Sequence, residues 1–468
     1  MITLRPDQEK VRTDLRVALR THQAVLTFAP TGFGKTVLAS ALVAMIAGAG
    51  KSVGFAVHRH ALIKQTAETF DQFKLPYTYI ASGEHHNPYR KIYIASIPTL
   101  QNRLGRYPMD YLFVDEAHLS ASAGWSRTIE HYREAGTKII GLTGSPERLD
   151  GKPLGDVWDT MVLGPSTRWL IENGFLSKYR AFAPAGVDLS GVHTRAGDYV
   201  ASEIDEIMAG KAVLAGAVRH WRSYAQGKRT IAFAPSVARA EQLAAEFRAN
   251  GIGAVSLDGG TPQDFQRRAF FDFADRKIDV LVNCQLFTEG FDLSAQVGRD
   301  VVIEAVLDYA PTQSLARHLQ KHGRGLRRDP GGEPHVLLDL VGGFGRLGLP
   351  DDEREWSLEG RDKKKRGPVE AEEQAKVCPE CFAAHEPAPF CPECGFEYPV
   401  QVRKVEEVDG ELEEIDIEAF RQKQKMEQAQ AQTLTDLVRL ATARGYKSPE
   451  KWAAHVHTAR MAKRRRIA

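Results

Sequence analysis

The chain has 468 residues, too many for one hydrophobic core, so two or three domains are expected. An apolar fraction of 43% excludes a disordered polymer, and 62 Lys plus Arg against 60 Asp plus Glu leaves net charge uninformative about polyanionic partners. The longest apolar run, "VLASALVAMIAGAG", has the length of a core helix rather than a membrane span, and the start "MITLRPDQEK" shows no signal region. A cytoplasmic location without membrane association is therefore expected.

The first third alternates short apolar strands with helical patterns: "AVLTFA" (24–29), "SVGFAV" (52–57), "KIYIAS" (91–96), "YLFVDEA" (111–117) and "KIIGLTG" (138–144). A second block repeats the style with "RTIAFAP" (229–235), "AVSLDG" (254–259), "DVLVNC" (279–284), "DVVIEAV" (300–306) and "HVLLDLV" (335–341). Such alternation predicts an α/β fold with two tandem parallel-sheet domains, assigned to 1–178 and 179–345 and joined near 172–184. The less regular stretch 185–215 reads as a linker helix or small insertion. Residues 346–375 read as a charged linker, 376–400 as a small metal module, and 401–468 as a helical basic tail.

"APTGFGKT" (29–36) follows a strand and opens a helix. A phosphate loop needs small residues so that backbone N–H groups can approach oxygen, a lysine for the outer phosphates and a hydroxyl for magnesium. Thr31, Gly32, Gly34, Lys35 and Thr36 supply these, with Ala29 where the strict pattern has glycine. By itself a glycine-rich turn is an ordinary structural feature. Downstream, "VDEAH" (114–118) places Asp115 and Glu116 side by side at a strand tip, a repulsive arrangement unless a cation offsets it. Together the two stretches predict that Thr36 and Asp115 hold magnesium, and that Glu116 orients and deprotonates the attacking water.

These two stretches resemble motifs I and II of the superfamily 2 helicases of the DEAH-box type, and further matches follow in the family's order. "LRPDQ" (4–8) resembles the adenine-reading segment, which implies Gln8 as a base contact. "HRHALIKQ" (58–65), "SIPTLQNR" (96–103) and "LTGSPER" (142–148) resemble motifs Ia, Ib and III, the last departing at Gly144 and Ser145. "FAPSVARAEQLAAEF" (233–247), "NCQLFTEGFDLS" (283–294, with Gly290 and Asp292) and "QSLARHLQKHGRGLRRD" (313–329) resemble motifs IV, V and VI. Gln320, Arg324 and Arg327 can share one helix face or its end. The resemblance implies two RecA-like domains with ATP between them, Gln320 in the catalytic set, and Arg324 and Arg327 reaching across the cleft to the γ-phosphate. Lys321 stands where the family often has arginine, keeping the charge without the fork. Within the family the chain looks most like phage, prophage and bacterial members related to the type III restriction ATPase group.

"CPECFAAHEPAPFCPECG" holds Cys378, Cys381, Cys391 and Cys394 as two Cys-x-x-Cys knuckles, the spacing of a zinc-ribbon-like site with four thiolates. Two disulfides or an iron–sulfur cluster are the rival readings. His385 between the knuckles is expected to be exposed, and Cys284 to be a plain core thiol. The basic runs "KKKR" (363–366) and "KRRR" (463–466) are solvated ends or added phosphate contacts, and Tyr446 and Trp452 suggest helix packing.

The expected function is an ATP-dependent helicase or translocase using ATP, magnesium and zinc and acting on nucleic acid, DNA before RNA, with replication or repair proteins as partners. The alternatives are an RNA remodeller, a duplex translocase that does not unwind, and an ATP-gated nucleic-acid-binding scaffold.

Overall fold

The computed structural model describes residues 3–359 and 375–398, apart from 59, 149–150, 184–186, 188, 190, 196, 288–291 and 330, together with 426–427, 431, 433–443, 450, 453–454 and 456–457. Gly290, Tyr446, Trp452 and both basic runs lie outside the described residues. Residues 1–399 form one compact unit. In the second, 400–468, helix Leu434–Ala443 buries Leu437 and Ala441.

The first sheet contains β1 (Ala24–Phe28), β2 (Val53–Val57), β3 (Tyr77–Ile80), β4 (Ile92–Ser96), β5 (Tyr111–Val114), β6 (Lys138–Thr143) and β7 (Thr160–Leu163). Their spatial order is β3-β4-β2-β5-β6-β1-β7, and every pairing is parallel. Every residue of β1 and β2 is buried. This is why they read as continuous apolar runs rather than alternating ones: helices cover both faces. Two of those helices matter below, α1 (Pro6–Thr21) and α2 (Lys35–Gly48). Proline at the first helical position starts α1, and the Gln8 side chain accepts the Arg5 backbone N–H at 3.1 Å, closing its first turn.

The second sheet comprises β8 (Tyr179–Phe182), β11 (Thr230–Phe233), β12 (Ala254–Leu257), β13 (Val280–Asn283), β14 (Ala305–Asp308), β15 (His335–Asp339), β16 (Lys376–Val377) and β17 (Ala383–His385). Its order is β12-β13-β11-β14-β15-β8-β17-β16, parallel through β8 and antiparallel beyond. Between β8 and β11, a hairpin of β9 (Thr194–Arg195) and β10 (Asp198–Tyr199) and helices Ala201–Met208 and Lys211–Ala225 fill the stretch read as a linker or insertion. The strand expected at 300–306 starts only at Ala305, because the Val301 N–H is drawn aside to the Ser294 hydroxyl at 3.0 Å. Helices α3 (Gln263–Ala274) and α4 (Leu315–Gly323) lie in this second block.

Two expectations change here. The stretch read as the start of a charged linker is packed down between 349 and 358. Trp356 lies 5.0 Å from the Phe28 ring, and the Leu358 carbonyl accepts the Leu154 and Gly155 N–H groups at 2.8 and 3.0 Å. The apolar Trp356 and Leu358, set among charges, make this strap a tie from the second block back to the first. The cysteine window, read as a separate module, adds its strands to the second sheet, with Ala383 opposite Phe182 and Ala384 opposite Ala181.

Candidate nucleotide site and metal centre

All strand tips of the first sheet that carry motif residues point the same way. The phosphate loop leaves β1 and the paired carboxylates leave β5, with β6 between them. Gly34 caps α2 at φ 90°, a left-handed conformation that glycine adopts freely. A Cβ there would sit 2.8 Å from Gln8 Nε2, which itself donates to the Phe33 carbonyl at 3.0 Å. Gln8 is therefore buried against the loop. Arg5, which sequence reasoning passed over, braces the same corner. It donates to the Phe33 carbonyl at 2.9 Å and lies 4.5 Å above the Phe175 ring.

Lys35 Nζ donates to the Ala29 carbonyl at 3.0 Å. Burial pushes its pKa down, with Arg324 adding to the push and Glu116 and Asp115 opposing it. Arg324, itself buried, directly follows Gly323, which abuts Thr31 of the phosphate loop, and so comes to the loop from the second block. Burial and the adjacent Glu116 push the Asp115 carboxyl up to about 6, with Lys35 opposing. The two adjacent carboxylates thus face the Lys35 ammonium across the loop. A hydroxyl and a carboxylate are hard oxygen donors, so Thr36 and Asp115 fit magnesium on the chemistry of the donor set.

Glu116 is 8% exposed and has φ 48°, a strained backbone for a residue with a side chain. Its carboxylate accepts from Gln320 Nε2 of α4 at 3.3 Å. His118 Nδ1 lies 3.4 Å from the same oxygen and 3.1 Å from Thr143 Oγ1, whose hydroxyl donates to the Ser145 carbonyl at 2.8 Å. A polar chain thus runs from motif VI through motif II to motif III. His118 belongs to the quoted "VDEAH" and that membership was the available signal. Gly323 packs so closely on the loop that a Cβ there would be 2.7 Å from Thr31 Cβ.

The structure brings Gln8, Thr31, Gly32, Gly34, Lys35, Thr36, Asp115, Glu116, Gln320 and Arg324 to one cleft. Arg327, expected to reach across it, instead pairs with Asp292 in its own block at 2.6 Å. Asp292 also caps helix Leu293–Val297, so its carboxylate is committed to two structural partners. Beside the phosphate loop a cavity of about 650 Å³ is lined by Asp7, Thr31, Gly144, Gly323 and Trp356, among others.

The four cysteines of the window lie together. Cys378 and Cys394 sulfurs are 3.6 Å apart, as are those of Cys381 and Cys391. A tetrahedral zinc with Zn–S of about 2.3 Å requires S···S edges of about 3.8 Å, whereas a disulfide requires about 2.05 Å. The donor set therefore fits zinc. Burial raises the Cys378 thiol, but the Cys381 and Glu380 N–H groups and neighbouring thiols outweigh it and hold it at about 6. Gly395 (φ 74°) closes the second knuckle, and Phe382 (φ 58°) takes the matching place in the first. Its carbonyl accepts the Ala183 N–H at 2.8 Å, which ties the knuckle to the end of β8. His385 is buried rather than exposed, since its Nε2 meets the Tyr398 hydroxyl at 2.8 Å. Cys284 is half-buried at the end of β13.

Cys378 and Cys391 are also buried in the hydrophobic cluster of the second sheet. Cys391→Ser is expected to lose one equivalent of zinc per chain and to lower the melting temperature of the second α/β block, not merely of the ribbon. Metal content and calorimetry check this; an unchanged melting profile with zinc gone would break the link.

Comparisons with known proteins agree with this geometry. Residues 1–148 match the family described as type III restriction enzyme, res subunit, and residues 212–329 match the helicase conserved C-terminal domain. The 51.5 kDa protein of a Lactococcus phage (isolate 7-9) is 30% identical over 357 residues, covering 76% of this chain and 74% of that protein. The protein named ATP-dependent helicase IRC3 of Saccharomyces cerevisiae is 28% identical over 339 residues, which is 67% of this chain and 47% of IRC3. Among solved structures, the ATP-dependent type ISP restriction-modification enzyme LlaBIII bound to DNA superposes with a TM-score of 0.54 at 14% identity, over 72% of this chain and 27% of that one. The chain thus spans about three-quarters of the phage relative but less than half of IRC3 and about a quarter of LlaBIII. With both family matches in chain order and the phage relative covered over most of its length, the chain belongs to the superfamily 2 helicases related to the type III restriction ATPase, and it is an ATP hydrolase of that class.

Proposed function

We propose that the chain is a DNA-stimulated, ATP-driven translocase that separates or displaces strands. The observation that carries the reading is the bond from Gln320 to Glu116, a residue of the second block holding the carboxylate of the first. Hydrolysis and closure of the cleft are then one event. Lys35 and the loop N–H groups hold the phosphates, Thr36 and Asp115 would hold magnesium, and Glu116 takes the proton of the attacking water. Magnesium bound there would neutralise charge on the outer phosphates. Arg324, approaching from α4, stabilises the charge that develops on the leaving phosphoryl group, a role worth roughly a thousandfold or more. Opening after hydrolysis shifts the second block relative to the first, so a strand held by backbone contacts on both moves stepwise. The restriction-subunit match and the DNA-bound LlaBIII favour DNA over RNA. Among the described residues no helix is long and apolar enough to cross a membrane.

Steady-state ATP hydrolysis with single-stranded DNA, duplex DNA and RNA, alongside Lys35→Ala, tests the reading. Strong stimulation by DNA that disappears in the variant is expected, and a strand-displacement assay then separates unwinding from translocation. Equal rates with and without every nucleic acid would favour the ATP-gated scaffold.

A further inference from the structure

The strap at 349–358 lies beyond the last of the motifs, and its two ends are held by different blocks. At its start the Arg354 guanidinium donates to the Leu347 and Leu349 carbonyls at 3.1 and 2.7 Å, and the Leu349 N–H donates to Asp352 at 2.7 Å. Leu347 ends helix Gly343–Leu347, and the Tyr179 hydroxyl of β8 donates to Asp351, so this start belongs to the second block. At its end Trp356 lies against Phe28, and the Leu358 side chain packs on the cluster of the first sheet that includes Leu26, Ala117 and Trp158. With its carbonyl also taken by the Leu154 and Gly155 N–H groups, Leu358 belongs to the first block. Ser166 and Arg168 add contacts to Glu353 and Asp351, but these lie at the surface, where such pairs contribute little.

The seat of Trp356 adjoins the nucleotide cleft. Phe28 ends β1 and is followed directly by Ala29, where the phosphate loop begins. The strap also supplies Pro350, Arg354 and Trp356 to the wall of the cavity of about 650 Å³, a wall it shares with Thr31 of the loop and Gly323 of α4. A cavity of that size suits a small-molecule ligand. Three parts of the chain enclose it: the loop from the first block, α4 from the second, and the strap between them.

We propose that the strap is the latch of this cleft, with Trp356 as the positioning residue that holds it shut, so that nucleotide leaves the phosphate loop only as Trp356 lifts from Phe28. Four residues separate Arg354 from Leu358, at most about 14 Å of extended chain. While Leu358 is seated, the blocks part only by the slack in that stretch. The inference rests on the reading of the cleft as an ATP site and adds to it what limits its opening and the release of product.

A Cβ placed on Gly155 would stand 3.8 Å from Leu358 Cβ, the separation a disulfide needs. Gly155→Cys with Leu358→Cys therefore locks the seat on oxidation and frees it with reductant. The test measures the release of mant-ADP from the full-length chain with magnesium, chased with unlabelled ADP, and carries the wild type through the same oxidation and reduction. The oxidised pair is expected to slow release about tenfold or more, and reductant to restore it. Trp356→Ala is expected to speed release roughly two- to tenfold, the effect of losing one aromatic pair, and Trp356→Phe, which keeps a ring on Phe28, to stay near the wild type. Opposite signs from the lock and the truncation mark a latch, whereas a tie that only stabilised the fold would shift melting and leave release alone. Wild-type release rates in both the oxidised pair and Trp356→Ala overturn the latch and leave the ATP site standing. Absence of saturable mant-ADP binding by the wild type overturns both.

Discussion

Glu116→Gln is expected to bind ATP about as tightly as the wild type and to hydrolyse it about a hundred- to ten-thousandfold more slowly, the range for removal of a general base. The amide keeps the shape of the carboxylate and can keep the Gln320 contact at 3.3 Å, so cleft closure is preserved and only the proton acceptor is lost. The left-handed backbone at Glu116 (φ 48°) argues in the same direction. The fold tolerates strain of about 1–3 kcal/mol there, and the strain aims the carboxylate into the cleft rather than stabilising anything. The substitution also removes one of two adjacent carboxylate charges. Asp115, raised mainly by burial and then by Glu116, is relieved, and the melting temperature should rise as activity falls. Single-turnover hydrolysis, nucleotide binding and calorimetry on one preparation read all three. A variant that hydrolyses at the wild-type rate would show that another group deprotonates the water.

How far this site could be read before the fold was known depended on what each residue touches. Strands β1, β2, β5 and β6 were legible because burial on both faces forces continuous apolar runs. β7 was not, since "TMVL" is short and leaves Leu163 49% exposed at the sheet's edge. β8 was hidden in a stretch that reads as a domain junction, and its neighbour β17 lies about two hundred residues away. Local periodicity carries no information about such pairing. Within the cleft, the residues set by strand-tip chemistry were legible in position, the loop and the two carboxylates, whereas Gln320 on α4 was pointed to only by the family resemblance. Arg327 was misplaced because its partner Asp292 is 35 positions distant in sequence. His385 looked exposed because its polar ring and surroundings suggest solvent, whereas the Tyr398 hydroxyl satisfies it inside.

The structure gives Lys321 a role the sequence did not assign. It stands in motif VI where the family often has arginine, and its side chain is 4% exposed and turned into the second block. Its ammonium donates to both Asp308 oxygens, at 2.6 and 2.5 Å, and to the Ala310 carbonyl at 2.7 Å. Asp308 ends β14, so the pair pins α4 to the sheet and fixes where Gln320 and Arg324 face. Lys321→Met is expected to cost about 3–5 kcal/mol of stability, the usual cost of stranding one member of a buried pair. Lys321→Met with Asp308→Leu should regain much of it, since no charge is then left uncompensated. A single variant as stable as the wild type would show that the pair is not the anchor.

The deficit should also depend on pH. His322 Nε2 lies 3.6 Å from Asp308, and the rings of His318 and Phe344 lie against His322. In the wild type, burial and then Lys321 push the His322 pKa well below the usual imidazole value, so it stays neutral. Removing the ammonium removes that repulsion and leaves the Asp308 carboxylate in need of a cation. His322 can then gain a proton and take its place. Raising the folded-state pKa of His322 adds stability at low pH that is lost as pH rises through that value. Lys321→Met should therefore lie closest to the wild type near pH 5.5 and fall furthest below it near pH 8, and Lys321→Met with His322→Gln should lose that slope. Denaturation curves across this range decide it. A deficit of equal size at both ends would mean that Asp308 finds no second cation, and that Lys321 alone holds motif VI against the sheet.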